Sequence, residues 1–492
     1  MGASVKKNYI YNLIYQILAL LLPLITTPYL ARILQPDGVG MISYTDSIVS
    51  YFTLFAAMGI ATYGQREISY VQDNKEARSR VFWETQTLKL LTSLLVFCVY
   101  IPFVLFIAEK EYVIVYALLS LQFLSVVLNA TWFFQGLEEF GKIISRDIVI
   151  KIVLIISMFI FIKDRNDVPI YVLIYCLSSV LGHASIWGYL PKYVQKVAFK
   201  SLRPFRNIKT VFALFIPTIA IQIYTVLDKT MIGVITGDAY ENGYYEQAVK
   251  IVRIALTVVW SLGTVMIPRI GHHYEKGEIQ TVREWMYRSY RFVWLLALPM
   301  CVGLFFVAGN FVPWFFGEGY EGVVPLLRIL SMLLVVIGVN TVTGNQYLIP
   351  TKREKVYTLT VVIGAVINFI LNLFFIYYFQ AIGAAIASVA AEATIAIIQL
   401  VIVRKELSIV NIVKSSVKYL IACVAMGTLL FFESLWLSAS IINTFIMVVS
   451  GGAVYFLVLL LLRDNFVISN LKTILGKFFK KSPKKGEENN EV

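Results

Sequence analysis

Charge is scarce in this chain. Only 15% of its 492 residues are Asp, Glu, Lys or Arg, while 58% are hydrophobic and the mean hydropathy is +0.74. A soluble protein of this length needs far more charged surface, so a soluble class is excluded. Histidine is rarer still. His183, His272 and His273 form no ligand pattern, which argues against a zinc site. The four cysteines, Cys98, Cys176, Cys301 and Cys423, lie far apart inside apolar blocks. They spell neither a disulfide framework nor a metal site and read as small packing residues. A Gly-rich phosphate loop of the ATPase type is also missing. Any work this chain performs must draw on ions, a membrane potential or a substrate gradient.

Long apolar runs fill the space that charge leaves. They recur in blocks of roughly 20 residues, the length that crosses a bilayer core as a helix. Fourteen are counted: 9–31, 39–63, 88–108, 112–136, 143–162, 168–190, 211–236, 244–268, 290–309, 323–350, 356–379, 381–403, 416–436 and 440–462. The first, following Lys6 and Lys7, reads as a spanning helix, not a cleaved leader. The formal net charge of +13 sits in the flanking loops, which argues for a membrane and against nucleic acid. With the N-terminus placed inside, and counting the flanking ends of the segments, 35 of the 43 Lys and Arg fall with alternate connections and the termini, and only Arg32, Lys110, Lys163 and Arg165 fall with the others. One miscounted span would invert everything after it. The asymmetry therefore predicts fourteen spans with both ends cytoplasmic.

The outer connections are short, so a catalytic outer domain is not expected. The segments suggest a 6+6+2 plan. The first and seventh are each followed by a Gly- and Asp-bearing turn, "QPDGVGMISY" and "GDAYENGYYE", and the fourth and tenth end in "QGLEEFGK" and "IPTKREK". Residues 1–209 would form one lobe with its linker, 210–403 a second, 404–468 two further helices and 469–492 a basic tail. In that tail Leu471, Ile474, Leu475, Phe478 and Phe479 alternate with lysines at helical spacing, as in a helix lying on an anionic leaflet. Pro23, Pro28, Pro217, Pro268, Pro299 and Pro325 lie in or at the ends of segments and would bend them.

An ionisable side chain inside a span costs at least ~2.5 kcal/mol and is kept where it meets a partner or a wet cavity. Such residues are Lys229, Lys250, Arg253 and Arg328, with Arg32 at the end of the first segment. Asp46 and Asp228 lie at comparable depth, and Glu392 is nearer the middle. Lys250 and Arg253, three apart, share a helix face. Four readings stand open: snorkelling to the interface, structural pairing between helices, an anion-binding cavity, or carriage of a coupling proton or sodium ion by the acids. Five cations against three acids would leave such a cavity net positive by two. "NATWFFQG" (129–136) and "GVNTVTGNQYLIP" (338–350) are polar for spans. They would line a hydrophilic path or make polar contacts between helices.

The opening "NLIYQILALLLPLITTPYLARILQPDGVGMISYTDSIVSYF", then "GIATYGQREIS" (59–69), "WFFQGLEEF" (132–140) and "YTVLDKTMIG" (224–233) together resemble Wzx-type polysaccharide flippases of the multidrug/oligosaccharidyl-lipid/polysaccharide superfamily. The resemblance covers essentially the whole chain. It implies an all-α polytopic membrane protein, two six-helix lobes plus two C-terminal helices around a central cavity that opens alternately to either side. It implies a transporter, not an enzyme. The cargo would be undecaprenyl-diphosphate-linked oligosaccharide, moved from the inner to the outer leaflet of the bacterial plasma membrane for capsule, O-antigen or exopolysaccharide assembly. Membrane lipids and a polysaccharide polymerase would be its partners. On this reading Arg253, Lys250, Lys229, Arg32 and Arg328 contact the diphosphate. Asp228 would orient or neutralise Lys229, and Asp46 and Glu392 remain candidates for ion coupling. A peptidoglycan-precursor flippase, a cation-coupled drug exporter and a membrane polymerase are the alternatives.

Overall fold

The structure, a computed structural model, describes residues 2–261 and 263–470. Among these residues there is helix and no strand. Among the described residues nine helices are long and apolar enough to cross a membrane, and two of them, Leu22–Tyr70 and Glu354–Val403, have 49 and 50 residues. At about 1.5 Å per residue, either would be more than twice as long as a bilayer core is thick. Both are broken. Gln35 leaves helical geometry (φ 57, ψ 171) immediately before Pro36, where the proline ring crowds its predecessor out of the helical region. Gln380 does the same (φ 53, ψ −132). Asn372 and Ser388, on either side of Gln380, both hydrogen-bond Asp228, so the chain reverses between them. Each long stretch thus holds two of the expected segments. The other expected segments also lie on helix; 143–162, 211–236 and 244–268 are carried largely by Phe140–Phe161, Ile208–Thr236 and Ala239–Trp260. The tail helix expected over 469–492 lies almost wholly outside the described residues.

The chain forms two compact units. One comprises Met1–Ile254, Val312–Leu330 and Thr358–Ile395, the other Ala255–Phe311, Ser331–Tyr357 and Ala396–Val492. Within the first, Trp132, Phe133 and Phe134 are fully buried with Phe82 in an aromatic cluster. The fourth segment is interrupted at Asn129, after the helix Leu121–Leu128. That break frees carbonyls in a place where water is scarce. Three side chains from other helices take them: Gln86 donates to Val127, Trp187 to Leu128 at 2.7 Å, and Lys89, 3% exposed, to Asn129. Within "NATWFFQG" the Asn129 and Thr131 side chains bond each other, and the contact with another helix is made by the Asn129 carbonyl.

In the second unit lies the other polar stretch, 338–350. Residues Thr341–Leu348 form a π-helix. Thr343 shares a hydrogen bond of 2.8 Å with Tyr290, and Tyr347 donates to Glu406 at 2.6 Å. Arg353 grips the same Glu406 with its two terminal guanidinium nitrogens, at 3.0 and 2.7 Å. Helices Ile409–Trp436 and Ile441–Leu461 start on serine caps, Ser408 and Ser440. They present Val424, Leu435, Ile442 and Phe445 outward, an apolar exterior that only lipid would cover. All four cysteines are free thiols.

Candidate functional site

The first unit holds the charged residues of interest. Helices Ile208–Thr236 and Ala239–Trp260 are joined by a turn in which Gly237 has φ 64. The helix that follows Pro36 lies against both. Its Gly40 meets Ala239, and Gly243 meets the Pro36 carbonyl, so closely that a Cβ on either glycine would overlap backbone. This approach sets polar groups of three helices side by side. Lys229 forms an ion pair with Glu246. Ser43 donates to the same carboxylate at 3.1 Å, and Ser47 and Thr230 share a 2.9 Å hydrogen bond.

Glu246, Lys250 and Arg253 fall at i, i+4 and i+7, one stripe of one helix. Lys229, Lys250 and Arg253 all act electrostatically on Glu246. Only Lys229 is paired with it. Among the described residues neither Lys250 nor Arg253 makes an ion pair, and Arg253, exposed, only reaches the Thr225 carbonyl at 3.4 Å. Asp46 stands within electrostatic reach of Lys229 and Glu246 and accepts from Gln122 at 2.9 Å. This group holds three cations, Lys229, Lys250 and Arg253, and two carboxylates, Glu246 and Asp46. Glu246 is the residue that sequence reasoning passed over. Its signal was present, a glutamate one turn before Lys250 on the same face.

Asp228 belongs to a different set. Its carboxylate accepts from Tyr245, from Ser388 at 2.5 Å and from Asn372 at 2.7 Å. Among the described residues the ion pair of Lys229 is with Glu246, and the recorded hydrogen bonds of Asp228 come from other groups. Successive helical residues point about 100° apart, and each of the two finds its own neighbours. Asn372 and Asn368 are 0% and 1% exposed. Asn372 Oδ1 and Asn368 Nδ2 have no partner among the described residues. The surroundings of Asp228 are thus neutral hydroxyl and amide groups that donate hydrogen bonds to its carboxylate. No group of three His, Cys, Asp or Glu fit to hold a metal occurs among the described residues.

The remaining expected residues go elsewhere. Arg32 is exposed and donates to the Trp314 carbonyl, a backbone contact that a long cation near a helix end makes readily. Arg328 is exposed on the short helix Val323–Leu330, and Glu392 is half-buried on Glu354–Val403.

Many long apolar helices in one chain are the build of a multi-pass membrane protein. Residues 5–273 match the family described as "Polysaccharide biosynthesis protein", and the chain belongs to that family. It is 24% identical over 406 residues to the "Putative O-antigen transporter" of Escherichia coli (strain K12), covering 82% of this chain and 97% of the relative. The fold matches a solved structure titled "Lipid II flippase MurJ, inward closed conformation" with a TM-score of 0.73, 18% identity, 93% of this chain and 99% of that one. It also matches an inward-facing multidrug resistance MATE family transporter of the MOP superfamily with a TM-score of 0.63, 14% identity, 80% of this chain and 96% of that one. The family match agrees with the resemblance read from the motifs, and the protein is a multi-pass membrane protein of the polysaccharide biosynthesis family.

Proposed function

We propose that this chain carries undecaprenyl-diphosphate-linked oligosaccharide repeat units from the inner to the outer leaflet of the bacterial plasma membrane. Residues 1–209 and 210–403 act as the two lobes of an alternating-access cycle, and both termini face the cytoplasm. The observation that carries this reading is the Lys250–Arg253 stripe, two neighbouring cations that make no ion pair among the described residues. Such a pair suits a diphosphate, which a cationic drug does not resemble. Lys229, held by Glu246, exchanges its carboxylate for a substrate phosphate and hands it back on release. Arg32 and Arg328 contribute from the edges. Asp228, in its cage of neutral donors, takes up the coupling proton or sodium ion, with Asp46 and Glu392 as secondary acids. The apolar groove of about 550 Å³ bordered by Phe306, Cys423 and Phe431 suits the isoprenoid tail. A polymerase and other assembly proteins receive the product.

A peptidoglycan-precursor flippase is the second reading, favoured by the fold it shares with a lipid II flippase. Proteoliposomes separate the two. Wild type is offered the lipid-linked oligosaccharide of its host or lipid II, and lipid on the far leaflet is scored. Movement of the oligosaccharide lipid, lost in Lys250→Ala/Arg253→Ala, supports the proposal. Movement of lipid II alone selects the second reading, and movement of a cationic drug alone sinks both.

A further inference from the structure

The two stretches 59–69 and 132–140 come together in the first unit. Helix Ile60–Tyr70 packs on the short helix Thr131–Gly136. A Cβ on Gly136 would sit 2.7 Å from the Gln65 carbonyl and 2.9 Å from Ile68, so the approach needs glycine. Gln72 Nε2 fastens it by donating to the Gly136 carbonyl at 2.9 Å. Beside this contact opens a polar pocket of about 440 Å³, lined among others by Gln65, Arg66, Gln135, Glu138 and Phe140. It lies on connections that the charge asymmetry assigns to the inner side.

The chemistry of the pocket names its ligand. Arg66 is engaged by Glu67 at 3.0 Å, and the Glu138 carboxylate lines the same space, so the pocket has no excess of positive charge and does not favour a phosphate. Arg66 Nε is buried without a partner among the described residues. The side-chain amides of Gln65 and Gln135 make no hydrogen bond to described residues, although both line the pocket. Each amide offers two donors and an acceptor, which complements hydroxyl groups that both donate and accept. Phe140, 39% exposed, supplies a flat apolar face. Glu138 holds a left-handed backbone (φ 59), a strain that a non-glycine residue keeps where its placement matters.

We propose that this pocket binds the carbohydrate portion of the cargo at the inner side and selects which oligosaccharide is admitted. The inference rests on the flippase reading and deepens it. The test uses the full-length protein in detergent and two probes: the oligosaccharide released from the host's lipid-linked pool, and inorganic diphosphate. Binding is followed by ligand-detected NMR and calorimetry. Gln65→Met/Gln135→Met keeps side-chain length and removes the amides; Gln135→Met alone guards against misfolding. The expected result is a loss of at least about tenfold in oligosaccharide affinity, the worth of two hydrogen bonds, with diphosphate affinity unchanged. Unchanged oligosaccharide binding in a folded double variant overturns the proposal, as does a loss of diphosphate binding with the sugar retained. Wild-type transport without any oligosaccharide binding at the pocket overturns this inference and leaves the flippase reading intact. Oligosaccharide binding lost in the variant, but with no lipid transport by wild type, upholds the pocket and sinks the flippase reading.

Discussion

Lys229 and Glu246 form an ion pair that ties helix Ile208–Thr236 to helix Ala239–Trp260, with Ser43 of a third helix on the same carboxylate. Both side chains are mostly buried. Removing one leaves the other charged and poorly solvated. Glu246→Gln or Lys229→Met should each lower stability by about 1–3 kcal/mol, and the double change by less than the sum. Thermal melts in detergent across the four proteins measure the coupling. Strict additivity would show that the pair does not hold the helices together.

Lys250 and Arg253 share a helix face with Glu246 and make no ion pair among the described residues. Each charge-assisted contact to a phosphate is worth about 1.5–3 kcal/mol, so Lys250→Ala or Arg253→Ala should weaken diphosphate binding by roughly 10- to 100-fold. Arg253→Lys should keep part of it, because the charge stays and the bidentate fork is lost. Calorimetric titration with inorganic diphosphate reads all three. Equal affinity in all of them would return the stripe to a structural role.

Asp228 predicts a different phenotype. Asparagine at this position has the same size and cannot take up a proton or hold a cation's charge. Asp228→Asn should therefore fold normally and bind diphosphate as wild type does, while its transport no longer responds to an imposed proton or sodium gradient. Rates measured in proteoliposomes with and without each gradient decide this. A gradient response equal to that of wild type would move coupling to Asp46 or Glu392.

On the loops of the second unit, Glu406 is held by Arg353 and Tyr347. Burial raises its pKa, but the Arg353 and Tyr347 hydrogen bonds outweigh burial and hold it below the ordinary value. A depressed carboxylate stabilises the fold above its unfolded pKa and loses that contribution as the pH falls through the folded one. Glu406→Gln should cost about 1 kcal/mol at pH 7, with the gap to wild type closing below about pH 4.5, the ordinary glutamate value. Melting curves at pH 7 and at pH 3.5 provide the check, and a gap independent of pH would rule out the charged latch.

Glycines at the helix crossing give a prediction of stability alone. A side chain on Gly243 must displace the Pro36 carbonyl, and one on Gly40 the Ala239 carbonyl. Gly243→Ala should destabilise by about 1–3 kcal/mol through overpacking, whereas Gly277→Ala, in open space at φ 74, should cost about 1 kcal/mol of backbone strain. Comparative melts of the two variants test the ranking.

The sequence by itself determined that the chain is helical and membrane-spanning, and nearly where each span lies. Hydropathy and the placement of Lys and Arg respond to the bilayer, a solvent that acts on every segment separately, so they can be read one segment at a time. It also marked Lys229, Lys250 and Arg253, because a cation inside a span is costly wherever it sits. Which group answers each charge was decided only by the tertiary structure. Asp228 and Lys229 are adjacent in the chain, but the helix turns them apart, one to Tyr245, Ser388 and Asn372 and the other to Glu246. Ser388 and Asn372 are brought in by a chain reversal at Gln380, and Tyr245 and Glu246 by the turn at Gly237 that joins their helix to that of Asp228 and Lys229. Hydrogen bonds and ion pairs act over a few ångströms between helices distant in sequence, and only folding sets those distances.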